Sequence, residues 1–317
     1  MTPPSVIFAL LLMASGLAVA QISPTQSSGT ELLQAGKFAE AREAFEAVLD
    51  ANPEDADAQA GEVTASEQLA LEARGKGHAD DALRALLRAQ EYAPKNSRLL
   101  FDLGIQEDEM SLYQDADKTL ATVEQLKPGD PQVEYAVARV KLDLGELDAA
   151  REKMQAYLKS QPNDAGAHYG LGRAYQLKLD VDHARVEFQR SIELQPAQTE
   201  AYYQLGDIAL DQGNFVEAIA NFNKTLTRNP SHGGALAGTG QAYFKQKQYS
   251  QAEDFLERAV IAAPEYEKGH YYLGLTLARL GRKEDSEREL AIATKLANEA
   301  NKNAASGLHL ILPAANQ

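Results

Sequence analysis

The sequence predicts an all-α protein made of about eight stacked helical hairpins. Prolines recur at a constant interval of 34 residues, and small and bulky apolar residues recur with the same period at fixed positions between them. A repeat of about 20 to 50 residues is the signature of stacked units, whose number sets the length of the chain. Ala, Leu, Glu, Gln and Lys are common, and these residues favour helices.

The prolines mark the end of each hairpin, since proline cannot continue a helix. The regular series is Pro94, Pro128, Pro162, Pro196, Pro230 and Pro264. Pro53 belongs to the same series, although it lies 41 residues before Pro94 instead of 34. The seven extra residues are close to two turns at 3.6 residues per turn, so a helix can absorb them without rotating its buried face. We therefore expect a longer first helix there, from about Ala56 to Arg74.

Two columns of residues mark the second helix of each hairpin. A small residue stands twelve positions before each proline, and before Asn298 in the last unit, and a bulky apolar residue follows one helical turn later, on the same face. The small residues are Ala41, Ala82, Ala116, Ala150, Ala184, Ala218, Ala252 and Ser286. The bulky residues are Phe45, Leu86, Leu120, Met154, Phe188, Phe222, Leu256 and Leu290.

A column of very small residues marks the first helix. Its members are Gly104, Ala138, Gly172, Gly206, Gly240 and Gly274. Glycine inside a helix costs about 1 kcal/mol relative to alanine, so this column requires a packing reason. We expect it to let the two helices of a hairpin approach closely opposite the alanine column. A turn glycine is expected between the two helices at Gly36, Gly145, Gly213 and Gly281.

These residues together resemble the tetratricopeptide repeat family, whose 34-residue pattern is Leu-Gly, an aromatic residue, Ala, a bulky residue and Pro. The likeness is closest from Ala167 to Tyr175 and from Ala201 to Gly206, and it covers about residues 29–298. It implies a right-handed α-solenoid of about eight stacked tetratricopeptide-type hairpins. The first unit lacks the Leu-Gly pair and the last has Asn298 in place of proline, because terminal units have only one neighbour.

Residues 1–20 are predicted to be a signal peptide. An apolar run from Val6 to about Ala14 is too short to span a bilayer and precedes Ala18-Val19-Ala20, so cleavage leaves Gln21 first. No Lys or Arg precedes the run, so an uncleaved anchor or a buried helix is the alternative. We expect an exported protein, periplasmic or secreted, with no stable membrane span after cleavage.

The remaining segments are a short linker (21–28), the repeat array (29–300) and a C-terminal cap and tail (301–317). The last helix is expected to continue to near Ala305. The apolar stretch Leu308–Pro313 either folds back over that cap or serves as a free ligand motif, and the first is favoured because terminal apolar clusters usually find cover.

Charge and composition exclude several classes of function. The net charge is −15, and it all arises before Gln241, since ten basic and ten acidic residues follow that point. No basic stripe offsets the acidic excess, so we expect no binding to nucleic acid. The chain has no cysteine, which excludes disulfides, thiolate metal sites and a cysteine nucleophile.

Motifs for chemistry are not found. The six histidines do not form a metal-binding pair, and His168 and His270 share a repeat column with Tyr202, which favours a packing role. Gly238-Thr239-Gly240 resembles a nucleotide fingerprint, yet it falls inside a predicted helix and not after a strand. The sequence therefore predicts no catalytic residue, no metal and no cofactor, and the chain is not expected to be an enzyme.

The candidate site lies on the first helices, which line the concave side in this family. One position holds an aromatic residue in most units, and the position one turn later is mixed. The predicted partner-binding residues are Phe101, Tyr135, Arg139, Tyr169, Arg173, Tyr203 and Tyr271. The tyrosines would anchor an extended or helical peptide and the two arginines would bind its carboxylates. Equally, the tyrosines could pack between neighbouring units.

Three functions follow from these patterns. The leading hypothesis is an exported protein–protein interaction scaffold, in envelope assembly or secretion, that binds a peptide segment or partner protein on its concave face. The second is an enzyme or small-molecule binder that uses the concave cleft, which no constellation of residues supports. The third is a glycan- or peptidoglycan-binding protein that uses the tyrosines. The oligomeric state is not indicated.

Overall fold

The structure is a computed structural model that describes residues 24–305, with side chains described for residues 28–300. All regular structure within that range is helical. The helices are α1 (Pro24–Gln34), α2 (Phe38–Ala51), α3 (Ala56–Gly75), α4 (Ala79–Tyr92), α5 (Ser97–Glu109), α6 (Tyr113–Leu126), α7 (Pro131–Asp143), α8 (Leu147–Ser160), α9 (Ala165–Leu177), α10 (Val181–Leu194), α11 (Thr199–Asp211), α12 (Phe215–Arg228), α13 (Gly233–Lys245), α14 (Tyr249–Ala262), α15 (Glu267–Arg279) and α16 (Lys283–Ala305). Odd-numbered helices are the first helices of hairpins and even-numbered helices the second, which gives the expected eight hairpins within residues 24–305.

The chain forms two compact units that divide at Leu99. Unit 1 contains α1 to α4, and its core gathers Ala41, Phe45 and Leu49 of α2 with Ala58 of α3. Unit 2 begins at Leu100 and contains most of α5 together with α6 to α16. Its core is a series of small clusters, each shared between neighbouring hairpins, as expected when every repeat buries its apolar face on the next.

Element ends follow the predicted punctuation. Helix α3 spans Ala56–Gly75, which confirms the lengthened helix, and each second helix that precedes a proline of the series ends two residues before it. Helix α16 has no such proline and continues to Ala305, as expected. At the other end α1 begins at Pro24, inside the segment that the sequence analysis assigns to a linker (21–28).

Helix α1 packs against α2 from Gly29 onward. Gly29 occupies the glycine column of the first hairpin, and a β-carbon added there would lie 2.8 Å from the ring of Phe45. Leu32 and Leu33 of α1 pack against the same cluster of unit 1. Helix α1 is therefore a complete partner for α2 even though the hairpin lacks a Leu-Gly pair. The predicted signal peptide (1–20) and the residues after 305 lie outside the described range.

Each glycine of the column leaves space on the first helix for a bulky side chain of the second helix, and we call this space a glycine seat. A β-carbon at Gly172 would lie 2.7 Å from the ring of Phe188, which is fully buried on the second helix of the same hairpin. The ring of Phe222 lies between two such seats, because β-carbons at Gly206 and Gly238 would come within 2.6 Å and 2.5 Å of it. The alanine column beside these rings is buried as predicted. The glycines thus let a large side chain press onto the helix backbone.

The turn between the two helices of a hairpin requires a left-handed residue. Gly213 has φ +75°, and the amide of the next residue, Asn214, donates to the carbonyl of Ala209. This is the C-cap arrangement that glycine favours. The same position has positive φ at the non-glycine residues Ser111, Leu179 and Lys247. No helix within the described range is long and apolar enough to cross a membrane.

Candidate functional site

The predicted site residues lie at one register of successive first helices in unit 2. Phe101 is on α5, Tyr135 and Arg139 on α7, Tyr169 and Arg173 on α9, Tyr203 on α11, and Tyr271 on α15. We call the surface formed by these seven residues and the residues beside them the first-helix face. The sequence spacing placed these residues at equivalent positions of their helices, but the surroundings of each residue differ from one hairpin to the next.

Tyr135 is largely buried between its own hairpin (α7 and α8) and the next one (α9 and α10). Its ring lies 5.0 Å from that of Tyr157 on α8, centroid to centroid, and a β-carbon at Gly166 on α9 would be 3.0 Å from its hydroxyl oxygen. Burial raises the pKa of Tyr135 above its ordinary value of 10.0. The hydroxyl of Tyr157 in turn donates to Asp164, the N-cap of α9, at 2.8 Å. Tyr135 therefore belongs to the contact that joins two hairpins.

Tyr169 and Tyr203 pack on the second helix of their own hairpin. The ring centroids of Tyr169 and Phe188 are 5.7 Å apart, and those of Tyr203 and Phe222 are 5.9 Å apart. Burial raises the pKa of both phenols. Their rings remain only partly exposed on the first-helix face. These two contacts lie within one hairpin, whereas the packing alternative placed the tyrosines between hairpins, and peptide binding stays a prediction.

The outer members of the series differ from each other. Tyr271 is the most open aromatic residue of the seven, with 42% of its surface exposed, and it meets Tyr272 edge to face at 5.2 Å. Phe101 is partly buried and packs against the core cluster that contains Leu100 and Leu120. Of the predicted anchors, Tyr271 is therefore the one whose ring a partner can reach most fully.

Arg139 already has a carboxylate partner within the chain. Its Nη2 lies 2.9 Å from Oδ2 of Asp108, whose side chain is only 3% exposed. Burial raises the pKa of Asp108 from 3.8 to about 6, and Arg139 opposes that rise. The guanidinium thus compensates a buried charge, a role that the sequence did not reveal.

Arg173 is engaged less firmly. Its Nη1 donates to the side-chain oxygen of Gln176 at 3.2 Å, a partner on the same helix. Its charge also acts on two carboxyls of neighbouring hairpins, where burial raises the pKa of Asp143 and of Asp207 and Arg173 lowers both. Arg173 therefore lies between two acidic residues of the first-helix face.

A group of residues near α13 was missed in part by the sequence analysis. Ala237 occupies the tyrosine position of this unit and is 4% exposed. Burial raises the pKa of Tyr203, and Tyr266, the N-cap residue of α15, raises it further. Lys268, two residues further on, has a raised pKa because of Tyr266 and of Asp207 and Asp211. The signal that could have revealed the group is the alanine at position 237 where an aromatic residue is expected.

No group of three or more His, Asp or Glu side chains among the described residues could hold a metal ion. His168 and His270, which the sequence assigns to packing positions, each bind a glutamate of the paired second helix at 2.6 Å and 2.7 Å. The polar residues of the first-helix face are Asp, Arg, Gln and Tyr on rigid helices. This arrangement can form hydrogen bonds, ion pairs and aromatic contacts with another chain.

Stacked helical hairpins with an aromatic and charged face define a protein–protein interaction scaffold. The sequence profile described as "Tetratricopeptide repeat" matches residues 28–65, 67–131, 135–199 and 203–267. These four segments cover most of the chain, so the protein belongs to the tetratricopeptide repeat family. Repeat arrays of this family are generally non-catalytic scaffolds with protein or peptide partners. Among the curated proteins, none matches the chain.

Solved structures share the fold. A tetratricopeptide repeat protein from Parabacteroides merdae is 18% identical with a TM-score of 0.59, and the match covers 74% of this chain and 93% of that one. The APC/C hetero-tetramer Cut9–Hcn1 is 16% identical with a TM-score of 0.63, covering 90% and 54%. PilW, described as a type IV pilus biogenesis factor, is 16% identical with a TM-score of 0.55, covering 67% and 94%. At these identities the likeness concerns the fold alone.

Proposed function

We propose that the chain is an exported, non-catalytic scaffold that binds a peptide segment of a partner protein on the first-helix face. The observation that carries this proposal is the series of tyrosines on consecutive units whose rings are fixed from behind. Tyr169 rests on Phe188 and Tyr203 on Phe222, so their exposed edges are held in place before a partner arrives. Ordering a side chain costs free energy on binding, and these rings are already ordered.

Rigid aromatic residues beside hydrogen-bonding groups are better suited to binding a peptide than to catalysing a reaction. Tyrosine offers a large contact area and a polar hydroxyl at a low entropic cost. Arg173, Asp207 and Gln241 lie one turn from the ring positions on the same helix faces. They supply polar partners for a peptide backbone and its side chains, while the exposed ring of Tyr271 supplies an open apolar contact.

The test is photo-crosslinking in the cells that produce the protein. A photoreactive residue replaces Tyr271 on the first-helix face, and in a matched control it replaces Val216 on second helix α12, which is 80% exposed. We expect a protein adduct from position 271 that position 216 does not give. Adducts with glycans would favour the glycan-binding alternative. Identical adducts from both positions would contradict a site on the first-helix face.

The location is a separate part of the proposal. It rests on the apolar run before Ala18-Val19-Ala20, which lies outside the described residues. An exported scaffold would act in envelope assembly or secretion. N-terminal sequencing of protein recovered from fractionated cells should give Gln21 as the first residue outside the cytoplasm. Recovery of soluble cytoplasmic protein that begins at Met1 would contradict export and leave the binding proposal intact.

A further inference from the structure

Leu290 is the least buried member of the bulky column. The other seven members have at most 2% of their surface exposed, whereas Leu290 is only partly buried. Its own hairpin is complete, because a β-carbon added at Gly274 of α15 would lie 2.7 Å from the side chain of Leu290. The cover that Leu290 lacks is therefore on its other side, and no further hairpin follows α16 within the described residues.

In the other hairpins, the next hairpin supplies this cover. Phe222 of α12 packs on Gly238 of the next hairpin, where an added β-carbon would lie 2.5 Å from its ring. Met154 of α8 likewise packs on Gly170 of the next hairpin, where an added β-carbon would lie 2.7 Å from its methyl group. Leu290 therefore exposes the side on which a next hairpin would stack.

Tyr271 is exposed for the same reason. The hydroxyl oxygen of Tyr203 lies against the next first helix, 2.9 Å from a β-carbon added at Gly234. Within the described range no such helix follows the last hairpin, and the ring of Tyr271 is 42% exposed. Tyr271 also lies three residues before Gly274, which is the glycine seat of Leu290. The two exposed side chains thus belong to one unpartnered surface.

We call the surface formed by Tyr271, Leu290, Thr294 and Ala297 the end face. Its three residues on α16 are spaced four and three positions apart, so they share one side of that helix. None of the four side chains carries a charge. Removing apolar surface from water contributes about 25 cal/mol for each Å² that is covered, so the end face favours an apolar occupant.

An apolar segment of the same chain follows α16. It is Leu308–Pro313, which lies outside the described residues and has a large aliphatic residue at four of its first five positions. Residues 303–317 contain no Asp, Glu, Lys or Arg, although 24% of the whole chain is charged. Sequence of this composition is suited to burial against another apolar surface. We call Leu308–Pro313 the apolar segment.

The apolar segment is long enough to reach the end face. Thr294 lies eleven residues before Ala305, the last residue of α16, which corresponds to about 16 Å along a helix. The eight residues from Ala305 to Pro313 span up to about 26 Å when extended. Gly307 comes just after the helix, where glycine favours a reversal of the chain. Because α15 runs antiparallel to α16, a segment that returns to Thr294 also arrives at Tyr271.

We propose that the apolar segment docks on the end face of its own chain, in the place where a next hairpin would stack. Its tether gives it an effective concentration on the order of millimolar, which favours it over a second copy of the chain. This inference goes beyond the proposed function and does not depend on it. A partner that uses Tyr271 displaces the apolar segment first, so the segment limits access to this end of the first-helix face.

The test uses the purified full chain with a photoreactive residue in place of Tyr271. After irradiation and proteolysis, mass spectrometry should find position 271 joined to the apolar segment. Leu310→Asp with Leu312→Asp places charges in the segment and should lower the yield of this adduct at least about tenfold. The matched control, Asn316→Asp with Gln317→Glu, adds the same two negative charges after the segment and should retain the adduct. Circular dichroism melting checks that every variant folds.

The remaining measurements separate the other occupants. In a mixture of isotope-labelled and unlabelled chains, adducts between the two kinds would show that a second copy fills the end face and overturn docking within one chain. Absence of any adduct with the apolar segment, or equal yields from the two double variants, would also overturn it. Hydrogen exchange of the amides from Thr294 to Ala300 should be at least about tenfold faster in the Leu310→Asp, Leu312→Asp variant than in the control. The proposed function is tested separately, by adducts with other proteins.

Discussion

The imidazole Nδ1 of His168 lies 2.6 Å from Oε2 of Glu187, and its Nε2 lies 3.2 Å from the carbonyl oxygen of Pro162. One ring thus ties first helix α9 both to its partner α10 and to the turn that precedes it. His270 repeats the arrangement three hairpins later, with Glu289 at 2.7 Å and the carbonyl of Pro264 at 3.0 Å. The two histidines join helices of one hairpin to the hairpin before.

The same pair of positions, nineteen residues apart, carries different but matched chemistry in other units. Glu134 and Lys153 form an ion pair at 3.2 Å there, and Leu236 packs in one apolar cluster with Phe255. These four hairpins therefore make the same contact with different but complementary side chains. The two residues of each pair join the helices of a hairpin. Stability should therefore depend on whether the two residues complement each other and not on which residue types they are.

Exchanging one complementary pair for another tests whether complementarity determines the free energy of unfolding. His168→Leu or Glu187→Phe alone should each lower the free energy of unfolding by about 1–3 kcal/mol, since each leaves a polar group without its partner. The double variant, which copies Leu236 and Phe255, should recover at least about 1 kcal/mol of the summed loss. Chemical denaturation of the four proteins measures this coupling. Strict additivity would show that the two positions do not act as a pair.

A buried carboxyl in unit 1 should make stability depend on pH. Burial raises the pKa of Glu62 from 4.5 to about 7, although Ser66 donates to its Oε1 at 2.8 Å. The folded protein therefore holds this proton more tightly than the unfolded chain does. The resulting stabilisation is complete below about pH 4.5 and is lost as pH rises through about 7. The unfolding free energy should fall across that window by up to about 3 kcal/mol through this group.

Glu62→Gln isolates the effect, because glutamine keeps an acceptor for Ser66 and has no charge. The variant should be more stable than the wild type at pH 8 and lose that advantage at pH 5, as measured by denaturation across the range. Glu43→Gln, at an exposed position of α2, should give a profile parallel to that of the wild type. Parallel profiles for both variants would show that Glu62 does not carry the dependence.

The left-handed turn position offers a stabilising substitution. Leu179 has φ +62° and is 85% exposed, so its side chain gains little from packing in return for an unfavourable backbone conformation. Leu179→Gly should raise the free energy of unfolding by about 1 kcal/mol. Gly213→Ala makes the opposite change at the same position, where φ is +75°, and should lower it by about 1 kcal/mol. Thermal melting distinguishes the two signs.

The glycine seats should tolerate no methyl group. Gly172→Ala would place a β-carbon 2.7 Å from the buried ring of Phe188, and overpacking of this kind costs about 1–3 kcal/mol. Gly75→Ala, at the end of α3 with nothing within 4 Å, should instead stabilise by about 0.5–1 kcal/mol. A stabilised Gly172→Ala variant would contradict the seat. Phe188→Leu in the same chain should relieve part of the clash.

The tyrosines should differ in how much they contribute to stability and to peptide binding. Tyr203→Ala removes a ring that rests on Phe222 and on the backbone at Gly234, so we expect a loss of about 3–4 kcal/mol of stability. Tyr271→Ala removes a more exposed ring and should cost less than about 1 kcal/mol while weakening peptide binding by about 1–2 kcal/mol. Melting and anisotropy on the same samples measure both. Equal stability losses would place both rings in the same role.

The periodic features of the sequence were sufficient to predict the hairpins. Proline and glycine act on the backbone where they stand, so the ends of α3 and the turn at Gly213 followed from position alone. The face that holds the tyrosines followed from helical periodicity. The first hairpin was read less fully, although Gly29 stands twelve residues before Ala41, the spacing that also separates Gly172 from Ala184.

The electrostatic state of the candidate site depends on contacts between units, which the period does not encode. Asp108 and Arg139 lie on different hairpins, at positions that are not equivalent in the repeat. Tyr266 precedes the first turn of α15 and raises the pKa of Tyr203, which lies on α11. Such pairs form when a side chain is long enough to reach a residue of another hairpin. The repeat pattern of a single sequence does not specify which side chains meet in this way.

The length of α3 indicates how an array of this kind can change over evolution. Its 20 residues exceed the 13 of α7 or α9 by seven, which at 1.5 Å per residue makes the helix about 10 Å longer. Seven residues return a side chain to within about 20° of its original direction, whereas an insertion of five would turn the helix so that its apolar stripe faced solvent. Insertions inside a helix should therefore survive in steps of two turns, and otherwise the chain should grow or shrink by whole hairpins.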